Sequence, residues 1–508
     1  MPNGLARQQD LRLPLFLTIV VYALAYGFST TYGYDSITRS LMGWTWLQNP
    51  FHIVGPNNVT WVFGPLHCYI NALSIVLFGD PNVGPRVFST LFGILTVIPF
   101  FLVVKETFDA RAAFYSSLAF PFYSLYAHLS VSANSESLST FLLVSAVYAL
   151  VKFVKSGGIG YAVASGVFMS LMSATRYDLW LFIPLAMGYL IFRSFKSRDR
   201  RMLVGLGLFS VIALSFPIFW MIGSYRQTGD PLYFINLVRE YGAASQAASG
   251  FHLKTIAYYL VFFPGVIFLS LTPLVTLIAV LGLYSELRHN LRAHSFITWS
   301  VIALVLYFFY VFVVSRQIEP VSRFVVVHGI FLLFYFGYGL QYATKVMSRI
   351  SFRRLLTATI VVMVAFNLLL ASAYKLGGPV AERLIPLAPI VRQPDYVSNT
   401  IEILKQKAES ESVILLDAQY YEQRVLYLKT FGHWDRIKGY VGSPQGFLDE
   451  VKSLNPDYIV ISPTNYRLKN VLDQNSDTII IPGTNISYKR ILKEGIYGLY
   501  QRTAYAAL

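Results

Sequence analysis

Cysteine is nearly absent: the 508 residues hold one, Cys68. That excludes an intramolecular disulfide and any metal site built from several thiolates, and leaves Cys68 as a packing residue. Charge is scarce as well, at 13% of residues, and acids are the rarer sign, 26 Asp+Glu against 41 Lys+Arg. With 55% hydrophobic residues and a mean hydropathy of +0.52, the chain has far more apolar surface than a soluble domain needs. It reads as a polytopic membrane protein. Phosphate-loop, zinc, nucleophile-elbow and dinucleotide motifs are missing, as are internal repeats and low-complexity tracts. The histidines are scattered, and His128 and His328 fall at the edges of apolar runs, where packing or a hydrogen bond is the ordinary role.

The net charge of +15 does not mark a nucleic-acid surface. Up to Tyr374 there are 25 Lys+Arg and 12 Asp+Glu, and beyond it 16 and 14. Of those 25 cations, 17 fall in alternate loops: Arg7/Arg12, Lys105/Arg111, Lys152/Lys155, Arg193–Arg201, Arg288/Arg292 and Lys345–Arg354. Positive residues collect on the cytoplasmic side of membrane proteins, so the excess sets topology. It threads the chain through the bilayer about eleven times, over 13–31, 86–104, 112–127, 138–154, 159–175, 179–195, 202–222, 262–285, 296–314, 324–343 and 355–374. The N-terminus is then cytoplasmic. The first apolar run has no small-residue cleavage site and is expected to be retained as a span.

Two external loops are long, 31–85 and 223–254. The first includes an apolar run, 66–78, expected as a helix lying along the membrane, since counting it as a span would put Arg193–Arg201 outside. Residues 1–374 thus form the membrane domain, 375–394 a linker, and 395–508 a small external α/β domain. Its expected elements are a helix at 397–409, a strand at 412–416, a helix at 447–454, and strands at 458–461 and 478–481.

Four charged residues stand where chemistry is expected. Asp35 follows the first span, flanked by Tyr32 and Tyr34, with Arg39 one turn on. A carboxylate in a partly dry pocket can act as a general base, although a loop aspartate capping a helix is the commoner fate. Glu136 opens the fourth span and could equally be a helix-start acid. Arg176 and Arg323 sit at external span ends, where a guanidinium can hold phosphate through its planar fork or touch head groups. Arg176 could also pair with Asp178, and Arg323 with Glu319. Leu138 occupies the place a second acid would need for a DxE pair, so no cofactor is expected and a divalent metal is not favoured. Acids and cations together at the external surface suggest a lipid-linked, phosphate-bearing substrate.

In order along the chain stand YDS (Tyr34–Ser36), FGPLHCYINALSIVLFGDPNVGPRVFSTLFG from Phe63, KETFDARAAFYSSLAF from Lys105, SANSESLSTFLL from Ser132, TRYDLWLFIPL from Thr175 and SRFVVVHGIFLLFYFG from Ser322. This series resembles the GT-C superfamily, the multi-spanning glycosyltransferases that use lipid-phosphate sugars, such as protein O-mannosyltransferases, aminoarabinose transferases and oligosaccharyltransferase catalytic subunits. The resemblance implies a GT-C-like helical membrane fold. It implies a polyprenyl- or dolichyl-phosphate sugar donor (hexose or mannose-like), and a lipid, glycan or protein acceptor on the extracytoplasmic face. It also implies catalytic roles for Asp35 and Glu136 and donor-phosphate binding by Arg323 and Arg176. The chain departs from the pattern at Ser36, where an acid usually follows the aspartate, and at Gly64-Pro65, where aminoarabinose transferases have lysine-proline. The Trp-rich acceptor motif of oligosaccharyltransferases is replaced by LLDAQYYEQ. The expected location is the cell membrane of a prokaryote, or the ER membrane of a eukaryote. A transporter or lipid flippase, with the same charges lining a pathway, is the alternative from another class, and it calls for paired repeats and midplane charges.

Overall fold

The computed structural model describes residues 10–29, 34–48, 63–237, 239, 253–289, 295–314, 321–347, 351–375, 398–409, 411–417, 437–440, 444–461, 472, 476–494 and 497–503. The membrane part opens with helix α1 (Arg12–Phe28), α2 (Tyr34–Gln48) and α3 (Pro65–Phe78). Pro65 is well placed at the first turn of α3, where a backbone N–H has no partner to lose, and Gly79 closes that helix in the left-handed conformation, φ 68°. There follow α4 (Val83–Leu95), α5 (Val97–Thr107), α6 (Ala110–Ala119), α7 (Ser124–Val131), α8 (Glu136–Ser156), α9 (Ile159–Ser173), α10 (Phe182–Ser197) and α11 (Arg200–Thr228). Asp109 caps α6 by accepting from Ala112 N at 2.6 Å, and Asp199 caps α11 by accepting from Arg201 N at 2.9 Å.

Among the described residues five stretches are long and apolar enough to cross a bilayer: Val83–Thr107, Glu136–Ser156, Tyr177–Ser197, Arg200–Thr228 and Phe352–Leu370. Two bent pairs, Leu260–Ser270 with Pro273–Arg288 and Ser322–Leu333 with Phe336–Val346, raise the number to seven. Shorter apolar helices cover Arg12–Phe28, Pro65–Phe78, Ile159–Ser173 and Phe296–Val311. Helix α8 is the central one: 72% of its apolar window lies inside the protein, against 28% for α11 and 22% for Phe352–Leu370.

Three expected uninterrupted spans are broken, among them 324–343, whose two helices meet at 50°. Residues 262–285 form two helices meeting at 106°, because Thr272 takes a left-handed φ of 71° immediately before Pro273, which disfavours a helical residue ahead of it. Residues 112–127 break at a 3-10 turn, Phe120–Phe122, where Pro121 cannot donate to the helix ladder.

Near the C-terminus, β1 (Ile414–Asp417), β2 (Ile437–Tyr440), β3 (Tyr458–Ile461), β4 (Thr478–Ile480), β5 (Ser487–Glu494) and β6 (Tyr497–Thr503) make a six-stranded sheet in the order β2-β1-β3-β6-β5-β4. The β1 strand runs parallel to β2 and β3, and the other pairings are antiparallel. Alternation along each strand gives the sheet two apolar faces. Leu415, Ile459 and Tyr500 pack with Phe447, Leu448 and Val451 of the helix Pro444–Leu454. Ile414, Leu416, Val460 and Leu499 pack with Leu404 of the helix Ser398–Lys407. The expected elements appear within a few residues of their places; β2, β5 and β6 are additions.

Candidate active site

Helix ends and short turns, rather than helix middles, carry the charged residues. The end of α1 is fixed by Arg86 of α4, which donates from Nε to Val131 O at 3.0 Å and from Nη2 to Tyr26 O and Ser29 O at 2.8 and 2.7 Å. Its guanidinium also lies 4.1 Å over the Tyr26 ring. The turn before α8 is fixed from the same helix: Ser89 Oγ donates to Asn134 O at 2.9 Å, and Ser137 Oγ donates to Ser89 Oγ at 3.1 Å. Glu136 then begins α8, where the positive end of the helix dipole favours an acid.

Glu136 is 3% exposed. Its Oε1 accepts from Arg176 Nη1 and lies 4.0 Å from Arg323 Nε. Its Oε2 has no hydrogen-bond partner among the described residues. The remaining nitrogens of Arg176 hold Asp178: Nε to Oδ1 at 3.0 Å and Nη2 to Oδ2 at 2.8 Å. Arg176 is therefore shared between a two-point grip on one carboxylate and a single contact with another. Burial opposes its charge, but Asp178 and then Glu136 outweigh burial and raise its pKa, so it stays a cation. Arg323 sits in the 3-10 turn Ser322–Val325 that leads into the helix Val326–Leu333.

A third arginine joins them. Arg39 of α2 is buried, its guanidinium 4.4 Å over the Phe63 ring, within electrostatic reach of Glu136. The segment carrying Phe63 is stitched to the Arg176 turn: Tyr177 Oη donates to Phe63 O at 3.0 Å, and Leu66 N donates to Ala174 O at 3.0 Å. Gly64 allows that approach, since a Cβ there would meet Ala174 O at 2.4 Å. The five side chains Arg39, Arg176, Arg323, Glu136 and Asp178 are three cations against two carboxylates. Guanidinium groups in a partly dry site can take an anion.

Three of the four expected site residues, Glu136, Arg176 and Arg323, thus come together. Asp35 lies in the first turn of α2, one turn before Arg39; its side chain lies outside the described residues, as does Glu319. Arg176 does pair with Asp178, as considered from the sequence, but also with Glu136. Arg39 and Phe63 are not among the four expected site residues. Arg39 carried a signal, its spacing of four from Asp35; Phe63 carried none. Among the described residues no group of three or more His, Cys, Asp or Glu side chains is placed to hold a metal ion.

A family model described as dolichyl-phosphate-mannose-protein mannosyltransferase matches residues 63–220, which span Phe63, Glu136, Arg176 and Asp178. In structure the chain is similar to ArnT from Cupriavidus metallidurans bound to undecaprenyl phosphate, with TM-score 0.65 and 14% identity, covering 96% of this chain and 97% of that one. It is similar to the oligosaccharyltransferase AglB from Archaeoglobus fulgidus in complex with an inhibitory peptide and a dolichol-phosphate, with TM-score 0.50 and 13% identity over 89% of this chain and 69% of that one. A third similar structure is the mycobacterial arabinofuranosyltransferase AftD, with TM-score 0.50 and 12% identity over 97% of this chain and 40% of that one. No curated protein sequence matches the chain.

Proposed function

We propose that this chain, whose fold is that of the GT-C membrane glycosyltransferases, moves a sugar from a polyprenyl- or dolichyl-phosphate donor to an acceptor on the extracytoplasmic face. The observation that supports it most is the cluster of buried Glu136 and Arg176 with part-buried Arg323 at helix ends, in a fold shared with a protein bound to undecaprenyl phosphate. Asp35 takes the proton of the acceptor hydroxyl as its oxygen attacks the anomeric carbon. The bond from that carbon to the phosphate oxygen breaks on the opposite side, so the carbon inverts. Arg323 and Arg176 face the charge that grows on the departing lipid phosphate, a role worth about a hundred- to a thousandfold in rate. Glu136 acts through them: its carboxylate spaces the two guanidinium groups. The donor carries its own leaving group, so no nucleotide is required.

This assignment goes with about eleven crossings, a cytoplasmic N-terminus, a membrane domain over 1–374, a linker over 375–394 and an external α/β domain over 395–508. The donor is a hexose or mannose-like sugar on a lipid phosphate. The test is to reconstitute the purified protein in lipid with a panel of polyprenyl-phosphate sugars. Consumption of one donor, with release of its polyprenyl phosphate, is expected; no consumption of any, together with no binding of sugar-free polyprenyl phosphate, overturns the assignment.

A further inference from the structure

Two polar side chains one turn apart on α3, His67 and Asn71, are 2% and 1% exposed. Neither His67 Nδ1 nor Asn71 Nδ2 has a hydrogen-bond partner among the described residues. A spacing of four puts both on one face of the helix. Native proteins rarely leave buried polar groups unpaired, and two in succession on one face require a reason.

Their surroundings supply one. At the His67 end, α3 abuts the Arg176 turn through Leu66 N and Ala174 O, and both Arg39 and Arg176 lie within electrostatic reach of the imidazole. Burial disfavours a charged imidazole, and the two arginines repel one as well, which favours a neutral ring that donates from one nitrogen and accepts at the other. At the Asn71 end, α2 lies flat against α3: a Cβ on Gly43 would meet Ala72 N at 2.9 Å, Cys68 O at 3.0 Å and Asn71 Cβ at 3.1 Å. Asn71 thus stands beside the seam between the two helices. From the arginine cluster the row runs to His67 and then Asn71, cations giving way to neutral groups that both donate and accept. Phosphate is served by the cations. Hydroxyls, which donate and accept at one atom, match the neutral pair.

We propose that His67 and Asn71 are a sugar-recognising pair, hydrogen-bonding hydroxyls of the glycosyl group whose phosphate lies at Arg176 and Arg323, and so deciding which sugar is transferred. This rests on the glycosyltransferase assignment.

The test compares a polyprenyl-phosphate hexose that the wild type consumes with its monodeoxy analogues, in wild type, Asn71→Leu, His67→Leu and His67→Asn. Removing one partner leaves a hydroxyl unpaired in a dry site, so each leucine variant loses about tenfold or more in kcat/KM on the full sugar. Each changes less than about twofold on the analogue lacking the matching hydroxyl, because that pair no longer has anything to lose. His67→Asn, which restores a polar atom near Nδ1, recovers part of the loss. Affinity for sugar-free polyprenyl phosphate stays at the wild-type value throughout. Equal losses on full and deoxy donors, a parallel fall in polyprenyl-phosphate affinity, or no change at all overturns the proposal, since the pair would then only pack or hold water. A leucine variant that fails to fold does not protect it: a wild type that accepts every monodeoxy donor as well as the parent sugar also overturns it. Saturation-transfer NMR of free hexoses on the protein in lipid nanodiscs separates this from the glycosyltransferase assignment. If the wild type consumes no donor, that assignment falls, while a hexose signal in wild type that Asn71→Leu abolishes still supports the pair, and its absence removes it.

Discussion

Glu136 accepts a hydrogen bond from Arg176 across a gap that the chain closes only by running the full length of α8 and returning along α9. Both side chains are nearly fully buried, so each charge depends on the other. Glu136→Gln keeps the shape and removes the charge, leaving Arg176 with Asp178 alone and drawing Arg323 towards no carboxylate at that point. Breaking a buried pair from one side costs about 3 kcal/mol. The expected outcome is a clear drop in the unfolding temperature in detergent. Asp178→Asn should cost less, since the Asp178 side chain is 27% exposed. Equal unfolding temperatures for Glu136→Gln and wild type would show that the carboxylate holds nothing.

Asp35→Asn tests the proposed base. The variant should insert and fold as the wild type does, while turnover falls by about a hundred- to ten-thousandfold, the usual worth of general-base catalysis. Turnover of donor is measured at matched yield. Retention of near-normal turnover would move the base elsewhere.

Arg323 separates phosphate recognition from contact with lipid head groups. Arg323→Lys keeps the charge and loses the planar fork, so donor affinity should weaken by about one to two powers of ten. Arg323→Ala should weaken it further. A residue that only reaches head groups tolerates lysine, because lysine snorkels equally well. Unchanged donor affinity in Arg323→Lys, with little loss in Arg323→Ala, would leave phosphate binding to Arg176 and Arg39.

Gly64→Ala probes the stitch between the segment leading into α3 and the Arg176 turn. Its Cβ would sit 2.4 Å from a backbone oxygen, which no side-chain rotation relieves, at a cost of about 1–3 kcal/mol. Activity should fall more than stability, since the displaced turn carries Arg176. Gly160→Ala, where nothing lies within 4 Å, is the control and should be silent. If both variants behave alike, the close approach at Gly64 has no bearing on the site.

The proposed topology is tested by labelling. With Cys68 replaced, a cysteine at Ser197 should resist a membrane-impermeant thiol reagent on intact cells and react once the cells are opened. Labelling on intact cells would invert the orientation, and with it the side of the membrane on which the arginine cluster faces.

Many helices of the membrane part were legible, because apolar runs of sufficient length announce helices. The breaks at Thr272-Pro273 and Pro121 were less so: prolines are tolerated in membrane helices, and only the backbone conformation of Thr272 reveals a bend rather than a kink. In the sheet, β3 was plain as an unbroken apolar run. The β5 strand, SYKRILKE, hid behind its cations and behind a register shift between Arg490 and Leu492, which spoils the alternation a reader looks for. Glu136, Arg176 and Arg323 could each be nominated singly, yet local sequence offered each a neighbouring partner or a capping role. That one carboxylate answers two arginines is a property of packing, since the three come from separate turns.

All three oxygens that Arg86 grips, those of Tyr26, Ser29 and Val131, belong to the backbone. Apart from the Tyr26 ring, that hold is indifferent to which side chains α1 carries. The outward face of α1, with Phe16, Leu24 and Phe28 exposed, is thus a separable module. It can be exchanged to suit a bilayer of different hydrophobic thickness while the carbonyls that anchor its end remain the same, and α2 goes on starting from the same point.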